Sequence, residues 1–140
     1  MKFNMPVSAI MTEHVITLHP DDSLNIVEET FAAKPFHHIP IVDVNQRLQG
    51  IVSKMDLLQL SAIKKDLTAK EYKFLKVKDF MTRNLVVIEP ETSVIRAASI
   101  FYKNKFHALP VVKDDRIVGI LTTHDLISMA FELVPALSED

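Results

Sequence analysis

The side chains best placed for chemistry are a hydroxyl and a carboxylate that recur together. They are Ser53 and Asp56 in Gly50-Ile51-Val52-Ser53-Lys54-Met55-Asp56, and Thr122 and Asp125 in Gly119-Ile120-Leu121-Thr122-Thr123-His124-Asp125. In each, the two groups stand three residues apart where an apolar run gives way to a helical pattern. An ionised Asp can accept both vicinal hydroxyl donors of a ribose, while a hydroxyl beside the exposed N–H groups of a helix N-terminus suits phosphate oxygens. The same spacing also makes an ordinary helix cap, with the acid favouring the positive end of the helix dipole. Capping and binding are compatible, and local spacing leaves both open.

Histidines stand at a second pair of equivalent positions, His37 in FHHIP and His107 in FHALP, each just before an apolar run. A neutral imidazole donates one hydrogen bond, and a nearby phosphate favours its protonated form; the alternative is a histidine packed at a strand edge. His38 adds a second imidazole to the first segment, whereas the second has the methyl of Ala108 there. Adjacent residues of a strand face opposite sides, so His37 and His38 cannot readily chelate one ion, and no other histidine or carboxylate cluster has ligand spacing. No metal is expected. Without a P-loop glycine pattern, a nucleophile elbow, an HExxH or any Cys, no catalytic activity is expected either.

These residues recur because the chain repeats itself. Val7 to Val42 aligns without a gap on Val77 to Val112, with Met11/Met81, Thr12/Thr82, Pro20/Pro90, Ser23/Ser93, Phe31/Phe101, Phe36/Phe106, His37/His107 and Pro40/Pro110 identical. After a one-residue contraction, Gly50 to Leu58 meets Gly119 to Ile127, and these are the only 2 glycines. A period of about 70 residues is too long for a solenoid and fits a small domain duplicated once, with pseudo-twofold symmetry.

Each copy reads in one order. A short apolar run (VITL, LVVI) predicts a strand ended by Pro20 or Pro90. A helix follows, which Asp22 or Thr92 can cap, with Leu24, Val27 and Phe31, or Val94, Ala97, Ala98 and Phe101, on one inward face. HIPIVD and LQGIVS, like ALPVVK and IVGILT, predict apolar hairpins, and a second helix closes each copy. The expected organisation is a first domain over 1–58, a helical linker over 59–76 with Thr68 and Glu71 at capping-box spacing, a second domain over 77–134 and a frayed tail over 135–140.

With 140 residues, 48% of them apolar, the chain can bury a real core, and a formal net charge of −2 offers no basic field for nucleic acid or an anionic membrane. No run approaches the roughly 20 apolar residues that span a bilayer, and no signal peptide is evident, so a soluble protein in the cytoplasm is expected.

The duplicated MT, P-x-x-S, H-x-[IL]-P-[IV]-V and G-[IV]-[VL]-[ST]-x-x-D motifs resemble the tandem cystathionine-β-synthase (CBS) domain pair, or Bateman module, over nearly the whole chain. The resemblance implies an α/β (α+β) fold of two β-α-β-β-α repeats packed sheet to sheet, commonly paired as a homodimer. It also implies that Asp56 and Asp125 hold ribose with Ser53 and Thr122 beside them, and that His37, His38 and His107 face phosphates. Adenine would lie against Ile16 and Val86 and nearby backbone, with each cleft drawing on both copies, Asp56 with Val86 and Asp125 with Ile16. Core packing is the other reading of those two apolar residues.

The expected function is regulatory, without catalysis: AMP, ADP, ATP or another adenosyl compound such as S-adenosylmethionine binds, and a regulated partner protein or the dimer itself reads out occupancy. The alternative is an interaction scaffold of the same fold that binds no nucleotide tightly.

Overall fold

The structure, a computed structural model, describes residues 2–63 and 66–138. In chain order the elements are α1 (Leu24–Ala33), β1 (His38–Val42), β2 (Leu48–Ser53), α2 (Lys54–Ile63), α3 (Ala69–Phe74), α4 (Val94–Lys103), β3 (Ala108–Lys113), β4 (Arg116–Thr122) and α5 (Thr123–Ser138), with short 3-10 turns at Lys2–Asn4, Val7–Ala9 and Val77–Asp79. This is a mixed α/β fold with two antiparallel hairpins, β1 with β2 and β3 with β4. The first hairpin turns through Asp43, whose Oδ1 accepts from the N–H of Asn45 and of Arg47. The second turns at Asp114 and Asp115, both with φ above zero, the backbone that a two-residue turn matched to strand twist requires. The one-residue contraction between the repeats therefore falls where one kind of turn replaces another.

Two compact units form, and they divide the chain differently from the repeats: Ile16–Leu85 is one, and Met1–Val15 with Val86–Asp140 is the other. Each unit takes its Met-Thr segment from the other repeat. In the first, Thr82 and Ile51 exchange both backbone hydrogen bonds, at 2.9 and 3.0 Å; in the second, Thr12 and Ile120 do the same, at 2.9 and 3.0 Å. The glycines explain themselves here. A Cβ on Gly50 would lie 2.8 Å from Met81 Sδ and 2.8 Å from the Thr82 carbonyl oxygen, and one on Gly119 would lie 2.6 Å from Met11 Sδ and 3.0 Å from the Thr12 carbonyl oxygen. The Met-Thr backbone crosses the strand so closely that only a residue without a side chain fits.

The cores follow the same division. Leu18, Leu24, Val27, Phe31, Ile39, Ile41 and Val52 bury together with Val77 and Met81, while Ile88, Val94, Ala97, Phe101, Leu109, Val111 and Leu121 bury together with Val7. The inward faces expected of α1 and α4 are there, although Ala98 is only partly buried. The linker holds two helical pieces, the end of α2 and then α3, with Lys64 and Lys65 outside the described residues. Thr68 caps α3 by accepting from the Glu71 N–H at 3.1 Å. The Tyr72 hydroxyl of α3 donates to Glu28 Oε1 on α1. Beyond α3, Asp21 pairs with Lys78 at 3.0 Å and Lys76 at 3.8 Å, and these cations hold its exposed carboxyl below the usual range.

Three local readings are corrected. Ser23 and Ser93 cap α1 and α4, accepting from the N–H of Ile26 and of Arg96. Asp22 and Thr92 instead accept from His19 and Glu89, closing the preceding turn. The apolar runs VITL and LVVI form no strand. Each makes one parallel bridge, Leu18 with Ile41 and Ile88 with Val111. Extending that ladder to Ile16 or Val86 would need an N–H from Pro40 or Pro110, and proline has none. Finally, α5 passes Pro135 and reaches Ser138, where a tail is expected from 135; a proline inside a helix gives up one intrahelical bond and crowds the carbonyl four residues before it, so the last turn forms at a cost.

Candidate functional site

At the end of the first hairpin the ladder places His38 opposite Ser53, and the Lys54 N–H donates to the His37 carbonyl at 2.8 Å. Strand pairing thus brings the FHHIP segment to the first turn of α2. The second unit repeats this arrangement, with Ala108 opposite Thr122 and the Thr123 N–H donating to the His107 carbonyl at 3.1 Å. His37 and His107 are exposed, and His38 is half-buried.

The hydroxyl and carboxylate pairs form reciprocal caps. Ser53 Oγ accepts from the Asp56 N–H at 3.0 Å while Asp56 Oδ2 accepts from the Ser53 N–H at 2.8 Å. Thr122 Oγ1 and Asp125 Oδ2 do the same, at 3.2 and 2.9 Å. The capping reading is therefore realised in both units, and it consumes one oxygen of each carboxylate. Among the described residues, Oδ1 of Asp56 and of Asp125 has no hydrogen-bond partner, and both residues are only partly buried. The cap fixes the carboxylate's orientation and leaves an acceptor on it.

Ile16 and Val86 are 37% and 41% exposed, too open for core residues. Among the described residues, the backbone of neither makes a hydrogen bond, and Pro40 and Pro110 have no N–H to give to the carbonyl of either. Unpaired N–H and C=O groups beside an exposed apolar side chain can meet a flat ring that carries hydrogen-bonding groups. The alternation of apolar residues alone did not reveal this, but prolines at equivalent points of both central strands were the signal. Ile16, His37, His38, Ser53 and Asp56 belong to one unit, and Val86, His107, Thr122 and Asp125 to the other. Among the described residues, no group of three or more His, Asp or Glu side chains is arranged to hold a metal, and no helix is long and apolar enough to cross a membrane.

The CBS domain description matches residues 7–63 and again 77–132. The chain belongs to the CBS-domain family. A solved CBS-pair structure similar to it is a Vibrio cholerae protein assigned to acetoin utilization (AcuB), with a TM-score of 0.86, 31% identity and 98% of each chain covered. Another is CBSX2 of Arabidopsis thaliana, solved in complex with AMP, with a TM-score of 0.80, 31% identity, 92% of this chain and 98% of that one covered. The CBS domain pair of protein MJ0100, solved with 5′-methylthioadenosine and S-adenosylmethionine, has a TM-score of 0.77, 29% identity, 91% of this chain and 95% of that one covered. Curated relatives at 29% to 32% identity are longer proteins, of whose lengths this chain spans 22% to 43%.

Proposed function

We propose that this CBS pair is a regulatory module that binds an adenine nucleotide or another adenosyl compound and performs no chemical step of its own. The observation that carries the reading is the capped carboxylate with one unused oxygen, present in both units at a helix N-terminus beside a histidine segment. Asp56 and Asp125 would accept from ribose hydroxyls through Oδ1. Ser53, Thr122 and the histidines would meet the phosphate or sulfonium end, and the unpaired backbone of Ile16 and Val86 would meet the adenine edge. AMP on CBSX2, and methylthioadenosine and S-adenosylmethionine on MJ0100, are ligands of this chemical class.

The two units differ in one respect that matters for the ligand. Ala108 stands where the first unit has His38, so the second unit has one fewer imidazole to offer phosphates. Fewer phosphates would suit it, AMP or an adenosyl sulfonium rather than ATP. Binding would be read out by a partner protein or by a homodimer of the chain in the cytoplasm, and its effect is bounded by the ligand's differential affinity for the two arrangements it selects between.

Thermal unfolding against AMP, ADP, ATP, S-adenosylmethionine and guanine nucleotides tests the proposal. A ligand at one hundred times its dissociation constant stabilises by about 2.7 kcal/mol, roughly several degrees of midpoint. A shift confined to adenosine compounds is expected. No shift across the panel would favour a scaffold that uses the fold for association alone.

A further inference from the structure

The helices α1 and α4 hold equivalent places in the two repeats, and their buried positions match: Leu24 with Val94, Val27 with Ala97 and Phe31 with Phe101. Their outward positions do not. Asn25 and Ala32 of α1 correspond to Ile95 and Tyr102 of α4, which are 52% and 91% exposed. Seven residues apart, Ile95 and Tyr102 share one face of their helix and form an apolar edge open to solvent. Ile26 and Ala33 of α1, both exposed, correspond to the exposed Arg96 and Lys103 of α4. Between the two edges of each face stands Glu29 on α1 and Ser99 on α4. Among the described residues, the charged groups of Glu29, Arg96 and Lys103 take part in no ion pair.

The two faces differ in a complementary way. One carries a large ring, a branched chain and two cations; the other carries an exposed isoleucine, two alanines and a carboxylate. Helices pack when the side chains of one fill the gaps of the other, and Tyr102 against alanine meets that condition. Pairing α4 with α4 would bring the Arg96 and Lys103 cations of two chains together, and pairing α1 with α1 would oppose two Glu29 carboxylates. Like charges so placed are costly, and only α1 with α4 sets opposite charges together.

We propose that this chain associates with a second copy of itself by seating α4 of one protomer on α1 of its partner, the apolar edge of Ile95 and Tyr102 against Ile26 and Ala33, and Glu29 beside Arg96 and Lys103. In a twofold pair the contact occurs twice, because each protomer contributes both helices. The pairing gives a surface to the homodimer named above as one readout of occupancy, and it rests on that reading only there, since neither helix carries Asp56, Asp125 or a histidine.

Sedimentation velocity of the full chain, free of nucleotide and run over a range of concentrations, tests the proposal. The parent should form dimers. Glu29→Lys sets like charge against Arg96 and Lys103, and Arg96→Glu with Lys103→Glu sets like charge against Glu29, so each variant should associate about ten-fold or more weakly. Mixed in equal amounts, the two variants should dimerise again, because the altered helices then carry opposite charges and the unaltered helices pair as in the parent. Tyr102→Ala should also weaken association. All the substituted side chains are exposed, so circular dichroism should report folded chains throughout. The proposal is overturned by a parent that stays monomeric, which would leave the α4 face to a different protein, by dimers that persist undiminished in either charge-reversed variant, or by folded variants that fail to pair when mixed. Calorimetry with AMP on the same samples reports the nucleotide site separately, so either reading can fail alone.

Discussion

At the scale of single residues, the proposed site depends on carboxylates that would do two jobs. Asp56 and Asp125 close the first turns of α2 and α5 with Oδ2 and retain Oδ1. The two jobs separate by substitution. Asp56→Asn keeps an oxygen to accept from the Ser53 N–H, so it should cost only a few tenths of a kcal/mol, whereas Asp56→Ala loses that half of the cap and about 1 kcal/mol, with Ser53 Oγ still accepting from the backbone N–H of residue 56. Denaturant unfolding of the two variants measures the difference, and equal losses would mean that the cap does not stabilise α2. Gly50 and Gly119 make a sharper case, because an added Cβ meets backbone carbonyl oxygen as well as a flexible methionine. Gly50→Ala should destabilise by about 1–3 kcal/mol and lower the midpoint by roughly 5 °C. A melting curve unchanged from the parent would show that the Met-Thr segment can move away at no cost.

Among the elements, helices and hairpins were legible in the sequence, and the first apolar runs were not. The inward positions of α1 and α4 repeat at helical spacing, and burial alone decides them. VITL and LVVI carry as strong a β signal, but a strand needs a ladder, and whether the neighbouring strand has N–H groups to give is decided by Pro40 and Pro110, more than twenty residues away. Local pattern cannot report that. The contact of α3 with α1 was also illegible, since neither Tyr72 nor Glu28 belongs to a recognisable motif.

That contact can be tested through pH. Burial first, then the hydrogen bond to Glu28 and its charge, raise the Tyr72 phenol from 10.0 to about 12. A folded-state value above the unfolded one favours the protonated form in the folded protein, so its contribution is complete below pH 10.0 and is lost as pH rises toward about 12. Stability measured across that window should fall less steeply in Tyr72→Phe than in the parent. Identical slopes would show that the phenol titrates alike in folded and unfolded chains.

For the whole molecule, the repeat was plain in the sequence, but the exchange of Met-Thr segments between its copies was not. Identical segments give no local sign of which strand each will join, since Met11 and Met81, like Thr12 and Thr82, are chemically interchangeable. One consequence concerns folding. The fragment 16–85 carries every residue of its core, including Val77 and Met81, whereas 1–58 lacks both of these. The first should unfold cooperatively by circular dichroism, if only marginally at that size, and the second should not. A cooperative transition in 1–58 would show that the repeat folds without the exchanged segment.

The proposed ribose role rests on the unused carboxylate oxygens, and calorimetric titration of AMP into the parent chain, Asp56→Asn, Asp125→Asn and the double variant tests them directly. The prediction is AMP binding in the parent, weakened about ten-fold or more at the altered unit in each single variant and lost in the double variant, whose caps and fold persist. Unaltered AMP affinity in a folded double variant would contradict the ribose role assigned to Asp56 and Asp125.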